Sequence, residues 1–305
     1  MRPTLRQLQY VIKVHQLGNF SLAAQALHVS QPSLSNQIAT IEVELGVTLF
    51  HRGRTGARTT AKGLEFVNRA QRIFKDVESL RGAMRTSLPF GGRLRLGVLP
   101  SIGPYLLPKV VQSLHKTLPD IRVIVREENT TDLDEGIKNG RFDAIISTPE
   151  DHPNTWQYPL FLEPLWAAIP PDHPIASLQT ACAKDLSGQR LLTLDKGHRL
   201  SRIVHGLAGI SGGIVSDDYE GTSLDSIMLM AATGAGIAII PDLFARRQAI
   251  HRDEVAVRPL EMADANRTIS LMFPLDDNDT DGRNALSATM KQAAKELGVQ
   301  VLAVK

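Results

Sequence analysis

The 305-residue chain, with 43% hydrophobic and 22% charged residues, is long enough to bury the cores of two or three ordinary domains. Its single cysteine, Cys182, excludes an intramolecular disulfide and a cysteine-rich zinc cluster, as is typical of a reducing compartment. The net charge of +2 is uneven: residues 1–90 hold 12 Lys and Arg against 5 Asp and Glu, and the rest holds 22 against 27. A nucleic-acid contact is therefore expected in the first 90 residues, although a solvated basic surface would give the same count.

No targeting or membrane segment is predicted. Residues 1–6 lead directly into an amphipathic pattern without the apolar stretch of a secretory signal. The most apolar run, residues 227–240, contains Thr233, Gly234 and Gly236 and is shorter than the roughly 18 residues of a membrane span. The nine histidines show no paired metal-ligand spacing. We expect a cytoplasmic protein with no membrane contact, no metal and no cofactor.

The first elements predict a helix-turn-helix. A helix starting at Leu5 ends at Gly18, and a second helix over residues 21–27 is expected to use Ser21 as its N-cap. After a short turn, Ser30 can cap a third helix that ends at Gly46. The apolar stripe of this third helix is Leu34, Ile38, Ile41 and Leu45.

The other face of the third helix is polar and mostly uncharged, so it can hydrogen-bond base edges in a major groove. The candidate DNA contacts on this helix are Gln31, Pro32, Ser33, Ser35, Asn36 and Gln37. Pro32 falls in the first turn, where a missing N–H costs nothing. The alternative is an ordinary three-helix cluster with a polar surface.

Residues 51–60 predict a basic hairpin, or wing, because they combine glycines with closely spaced arginines. Arg52 and Arg54 are the candidate contacts to phosphates or to the minor groove, which would fix the register of the third helix. An exposed basic turn is the alternative interpretation.

A long helix follows the wing. Its apolar residues alternate spacings of three and four over about three heptads, which predicts a helix–helix dimer. The residues of this seam are Gly63, Phe66, Ala70, Ile73, Val77, Leu80 and Met84. Packing of the helix on its own domain is the alternative. Residues 87–92 end the helix as a linker.

The remaining residues predict a domain of alternating strands and helices, which is typical of a doubly wound parallel sheet. Because such sheets bind ligands beyond the carboxyl ends of their strands, Ser101, Ile102, Thr130 and Thr148 are candidate effector contacts. Hydroxyls in these loops can equally be simple helix caps.

Two chain crossings predict a two-lobed domain like that of periplasmic binding proteins. We expect a winged helix-turn-helix at residues 1–60, a linker helix and hinge at 61–92, and an α/β effector domain at 93–305. Within that domain, lobe I is expected to comprise residues 93–161 and 268–305, and lobe II residues 162–267.

The sequence resembles the LysR-type transcriptional regulators. The resemblance is carried by residues 5–8, 18–35 and 41–50, and continues at Arg52, Thr60 and Gly63. It implies a winged helix-turn-helix, dimerisation through the linker helix, often a homotetramer, and a periplasmic-binding-protein-like effector domain. The dimer that the heptad seam predicts would bind an operator that is an interrupted inverted repeat of double-stranded DNA. RNA polymerase is a further candidate partner.

Residues 194–200, 221–224 and 234–241 are similar to the peroxide-sensing OxyR-like branch of the family. That branch has a peroxidatic cysteine directly after Gly-His, where this chain has Arg199, and a resolving cysteine further on, where this chain has none. Disulfide sensing is therefore chemically impossible within the chain. His198 and Arg199 at a helix start, with Thr222, instead predict a site for a small anionic effector. A surface arginine is the alternative.

Two other functional classes can use the same two-lobed fold. An enzyme is disfavoured because the sequence shows no nucleophile elbow, phosphate loop or metal spacing. A solute-binding protein of a transporter would have a signal sequence and no use for a helix-turn-helix. The sequence therefore favours a DNA-binding regulator with no enzymatic activity.

Overall fold

The computed structural model describes residues 3–53, 56–85, 88–277 and 279–302. The chain divides into two compact units, one of residues 1–87 with 138–141 and one of residues 88–137 with 142–305. Arg54, a predicted DNA contact, lies outside the described residues.

The first unit contains three short helices, a two-stranded hairpin and one long helix. These elements are α1 (Leu5–Leu17), α2 (Phe20–Ala26), α3 (Gln31–Leu45), β1 (Phe50–Gly53), β2 (Gly56–Thr59) and α4 (Ala61–Arg85). The predicted helix-turn-helix, hairpin and long helix are confirmed.

Helix caps fix the boundaries of the helix-turn-helix. The predicted cap of α3 is confirmed, since Ser30 Oγ accepts the N–H of Ser33 at 3.3 Å. The predicted cap of α2 is wrong: Asn19 Oδ1 accepts the N–H groups of Ser21 and Leu22 at 2.8 and 3.1 Å. The asparagine amide reaches two helix N–H groups from the N-cap position, so the helix begins one residue earlier, at Phe20.

The core of the first unit is the apolar side of the helix-turn-helix. Leu34, Ile38 and Ile41 of α3 are at most 1% exposed. Phe20 meets Phe50 of the hairpin edge to face, with ring centroids 5.8 Å apart. Gly56, the first residue of β2, has a φ of 129° and approaches the carbonyl oxygen of Gly18 so closely that no side chain fits there.

The second unit alternates strands and helices, as the sequence predicts. Its strands are β3 (Arg93–Val98), β4 (Arg122–Glu127), β5 (Ala144–Ser147), β6 (Thr155–Ile169), β7 (Arg190–Leu194), β8 (Ile214–Gly221), β9 (Ile237–Pro241), β10 (Ala256–Pro259), β11 (Asn266–Pro274) and β12 (Gln300–Val301). Its α-helices are α5 (Gly103–Thr117), α6 (Thr130–Lys138), α7 (Arg199–Ser211), α8 (Leu224–Ala232), α9 (Asp242–Arg247) and α10 (Thr280–Glu296). Short 3-10 helices include Pro149–Asp151.

These strands form one mixed sheet in the described residues, in the order β4-β3-β5-β11-β6-β9-β7-β8, with β10 and β12 also paired to β6. The pairs β3–β4, β3–β5, β7–β8 and β7–β9 are parallel, whereas β6 and β11 run antiparallel to each other. The parallel groups at the two ends are therefore joined by the two long strands in the middle.

Two apolar cores lie along this sheet. One contains Phe161 of β6 and Ile269 of β11 and forms the core of lobe I; the other contains Leu165 and Ala265 and forms the core of lobe II. Strands β6 and β11 thus pass from one lobe to the other, which makes them the hinge. Among the described residues no helix is both long and apolar enough to cross a membrane.

Candidate DNA-binding surface and inter-lobe ligand site

The predicted DNA-contacting residues of α3 share one exposed face. Gln31, Pro32, Ser33, Asn36 and Gln37 are exposed, and Ser35 is half-buried. This face alternates with the buried stripe, as the 3.6-residue period of a helix requires. A helix that presents an unobstructed polar face at its N-terminal half has the shape that enters a major groove.

Two contacts hold this face in place. Gln7 of α1, itself only 4% exposed, donates its side-chain amide to Gln37 Oε1 at 3.0 Å. Gln7 Oε1 in turn accepts the backbone N–H of Thr4 at 2.8 Å. The amide oxygen of Gln37 is therefore held by Gln7, whose own side chain is bound to the cap of α1.

Arg52 lies on the hairpin but turns toward α3. Its guanidinium donates to Ser35 Oγ at 2.5 Å, lies 4.5 Å from the ring centroid of Phe20, and is 3.8 Å from the carboxylate of Glu42. Arg52 thus links the hairpin to the helix-turn-helix.

In lobe I, three predicted effector residues follow the ends of parallel strands. Ser101 follows β3, Thr130 follows β4 and begins α6, and Thr148 follows β5. Ile102 is different, because it is fully buried in the lobe I core and its N–H donates to the carbonyl oxygen of Leu99 at 2.9 Å. The side chain and the N–H of Ile102 are both occupied within the fold.

Lobe II contributes the start of α7. The backbone N–H of Arg199 donates to Thr130 Oγ1 at 3.2 Å, which joins the two lobes directly. Gly197, just before it, approaches Asn129 so closely that an added Cβ would lie 3.4 Å from the asparagine amide. Thr222 follows β8 beside the end of β7 and is exposed.

The side chain of Arg199 is neutralised across the cleft. Its guanidinium lies 3.4 Å from Asp151 and 4.0 Å from Glu150, both in lobe I. Arg202, three residues further along in the first turn of α7, also pairs with Asp151. Thr148 Oγ1 donates a hydrogen bond to the same carboxylate at 2.6 Å. The hydroxyl of this predicted effector residue is therefore bound to Asp151 in the structure.

A buried ion pair that was not predicted from the sequence lies at the hinge. Arg267 of β11 and Glu163 of β6 face each other in register, with guanidinium nitrogen and carboxylate oxygen 2.7 Å apart and side chains at most 4% exposed. Arg267 also donates to Ser101 Oγ at 2.8 Å. The sequence does contain a signal for this pair, because each of the two apolar strands has a single charged residue, one acidic and one basic.

The same charge acts on His198. Burial is the largest cause that lowers the pKa of His198, and the nearby Arg267 lowers it further, while Asp195 and Asp132 act in the opposite direction. Burial thus disfavours the charged form of His198. The positive charge predicted at this site therefore rests mainly on Arg199 and Arg202.

One cluster in lobe I has the arrangement of a hydrolase triad. His152 Nε2 lies 3.0 Å from Ser147 Oγ, and His152 Nδ1 lies 3.3 Å from Asp134 Oδ1. Ser147 is fully buried, so no substrate carbonyl can reach its hydroxyl. The cluster supports the Pro149–Asp151 turn. No group of three or more potential metal ligands occurs among the residues that the structure describes.

A DNA-binding module and a two-lobed ligand-binding domain in one chain define a ligand-responsive transcriptional regulator. The profile described as "Bacterial regulatory helix-turn-helix protein, lysR family" matches residues 5–64, and "LysR substrate binding domain" matches residues 89–295. The chain belongs to the LysR family. It binds DNA through its helix-turn-helix and a small molecule in its effector domain.

Its relatives are transcriptional regulators, not enzymes. The chain is 34% identical to the "Hydrogen peroxide-inducible genes activator" of Pectobacterium carotovorum subsp. carotovorum, over 88% of this chain and 89% of that protein. It is 33% identical to the Escherichia coli K12 "DNA-binding transcriptional dual regulator OxyR", over 88% of both.

Solved structures of full-length regulators share the fold. A full-length OxyR variant from Pseudomonas aeruginosa superposes with a TM-score of 0.75 at 26% identity, over 100% of this chain and 99% of that one. Full-length BenM gives a TM-score of 0.61 at 25% identity, over 99% and 100%. The predicted two-lobed effector domain behind a winged helix-turn-helix is confirmed.

Proposed function

We propose that this regulator binds a small anionic effector in the cleft between its lobes and signals without thiol chemistry. The observation that carries the proposal is the pair of guanidinium groups, Arg199 and Arg202, that the first turn of α7 presents to lobe I beside Thr130 and Thr148. Guanidinium groups at a helix N-terminus favour carboxylate and phosphate groups through charge and geometry together.

The relatives' names refer to hydrogen peroxide, but this chain has only Cys182 and so cannot close an internal disulfide. Cys182 instead donates its thiol to Asp185 Oδ2 at 3.0 Å, in a short 3-10 turn of lobe II. We therefore expect a ligand-binding response, in which the effector favours one arrangement of the lobes through its differential affinity.

At the DNA, we propose that Gln31, Ser33, Asn36 and Gln37 contact bases, while Pro32 and Ser35 complete the surface. Arg52 and Arg54 would contact phosphates, and Arg52 would also hold the hairpin against α3. The exposed polar face of α3 supports this assignment.

The protein is further proposed to act in the cytoplasm as a homodimer or homotetramer. Such an assembly would bind an interrupted inverted repeat, since a two-fold symmetric protein matches a two-fold symmetric site. RNA polymerase is proposed as a partner, supported by the word "activator" in the relatives' names. A solute-binding role finds no support, because the helix-turn-helix family covers residues 5–64.

The test is footprinting on the intergenic DNA beside the coding region, with and without candidate effectors. The Cys182→Ser variant should keep its full response. Arg199→Ala should weaken binding of an acidic effector by about tenfold or more, and binding of its neutral analogue far less. A peroxide response that vanishes with Cys182→Ser, or a tight neutral ligand indifferent to Arg199→Ala, would contradict the proposal.

A further inference from the structure

The carboxylate of Asp151 is the centre of an ion-pair cluster that joins the two lobes. Asp151 ends the Pro149–Asp151 turn of lobe I, and its side chain is 10% exposed. It accepts hydrogen bonds from the hydroxyl of Thr148 and from the guanidinium groups of Arg199 and Arg202. One carboxylate is thus held by one donor from its own lobe and two cations from the other.

The two arginines form a preorganised site. They are three residues apart in the first turn of α7, so their side chains leave the same face of the helix. The backbone of Arg199 is fixed by its hydrogen bond to Thr130. Glu150 adds a second carboxylate at 4.0 Å from Arg199, but its side chain is 50% exposed and screened by water.

The donors that hold Asp151 are those that an external anion would need. A carboxylate or phosphate group on a small molecule offers the same acceptor oxygens as the aspartate side chain. Since Asp151 is tethered to the chain, it competes at a high effective concentration, as any intramolecular ligand does. An effector must therefore exchange with Asp151 in order to reach both guanidinium groups.

We propose that Asp151 is an internal anion that occupies the Arg199–Arg202 site, and that an anionic effector binds by displacing it. This inference rests on the proposed function, in which the cleft takes an anion. Displacement removes the ion pairs between the Pro149–Asp151 turn and α7. The exchange thus couples occupation of the site to the contact between the lobes.

The test measures binding of inorganic sulfate to the full-length protein at constant ionic strength, with sodium chloride as the balancing salt. Asp151→Asn removes the competing charge and keeps the side-chain size. The variant should bind sulfate about tenfold or more tightly than the unaltered protein, and sulfate should raise its Tm further.

The matched control is Asp225→Asn in the same lobe as α7. Asp225 pairs with Arg252 at 3.2 Å on the surface, so its loss also frees one arginine. Its sulfate affinity should equal that of the unaltered protein. Adding Arg202→Gln to Asp151→Asn should abolish the gain, because the second guanidinium is then lost.

An Asp151→Asn variant with unchanged sulfate affinity overturns the exchange, even where an acidic effector still depends on Arg199. The two proposals can fail separately. If Asp151→Asn binds sulfate more tightly but Arg199→Ala leaves the operator response to the effector unchanged, the exchange at Asp151 stands and the proposal of an anionic effector is contradicted. Should Asp151→Asn fail to fold, Asp151→Glu shifts the carboxylate by one methylene. Its sulfate affinity should also rise, and an unchanged value contradicts the proposal.

Discussion

Buried charges mark the place where the lobes join. Glu163 is fully buried, and burial raises its pKa, while the guanidinium of Arg267 and the N–H of Leu243 act against that shift. Neutralising one partner of such a pair leaves an uncompensated buried charge, which costs about 3–5 kcal/mol. The two residues are paired in register where β6 and β11 pass through the hinge.

His198 makes the stability of the effector domain dependent on pH. Its pKa is lowered in the folded protein, so at pH values below about 6.5 the unfolded chain takes up a proton that the folded chain resists. The free energy of unfolding should therefore fall as the pH drops through this window, and His198 should contribute nothing above pH 7.5. Thermal unfolding at pH 7.5 and 5.5 measures the effect.

His198→Asn should reduce the loss of Tm on acidification. His251→Asn, which removes an exposed imidazole, controls for the loss of a histidine as such. Equal acid sensitivity of the His198→Asn variant and the unaltered protein would show that burial of this imidazole has no thermodynamic consequence.

At the scale of elements, α3 is where sequence and structure agree most closely. The Ser30 cap, Pro32 in the first turn and Gly46 at the C-cap are local signals, each readable within four residues. The cap of α2 was harder to predict, because Asn19 and Ser21 are both good caps and only the fold of the turn decides between them.

The long-range contacts could not be predicted from the sequence. Arg199 was identified as a charged residue at a helix start, but its partner Asp151 is 48 residues away in the other lobe. The Glu163–Arg267 pair spans 104 residues. Periodicity reports which residues are buried on one element, whereas the pairing of two elements depends on register across the hinge.

The exposed face of α3 leads to a test of DNA readout. Asn36→Ala should change the preferred operator sequence, because a side chain that contacts a base edge contributes about 1–3 kcal/mol of discrimination. Arg54→Ala should weaken binding to all sequences alike and reduce the slope of log affinity against log salt by about one. Selection from random DNA and salt titrations measure the two effects.

The control is Gln16→Ala, which removes an exposed amide at the end of α1. It should leave both preference and salt dependence unchanged. If residues 91–305 alone bound the operator as well as the whole chain, the assignment of DNA binding to the first unit would be lost.

At the scale of the whole molecule, the two halves of the α4 seam differ in exposure. Gly63 and Ala70 are buried and Phe66 packs against the core of the first unit, so the start of the seam packs on its own domain. Ile73, Leu80 and Met84 are 42%, 62% and 76% exposed. Packing on its own domain thus accounts for the first half of the seam, and dimerisation stays a prediction for the second half.

An exposed apolar stripe on the second half of α4 is expected to be covered by a second copy of the chain, since each exposed leucine or isoleucine that becomes buried contributes about 1.5–3 kcal/mol. Val77→Glu with Leu80→Glu places charges in that contact. Sedimentation should show a smaller species. This species should bind the operator more weakly, because a monomer contacts only one of the two half-sites. Val43→Glu, at an 81% exposed valine of α3, is the control and should keep the assembly intact. An unchanged assembly size in the double variant would remove α4 as the main dimer contact.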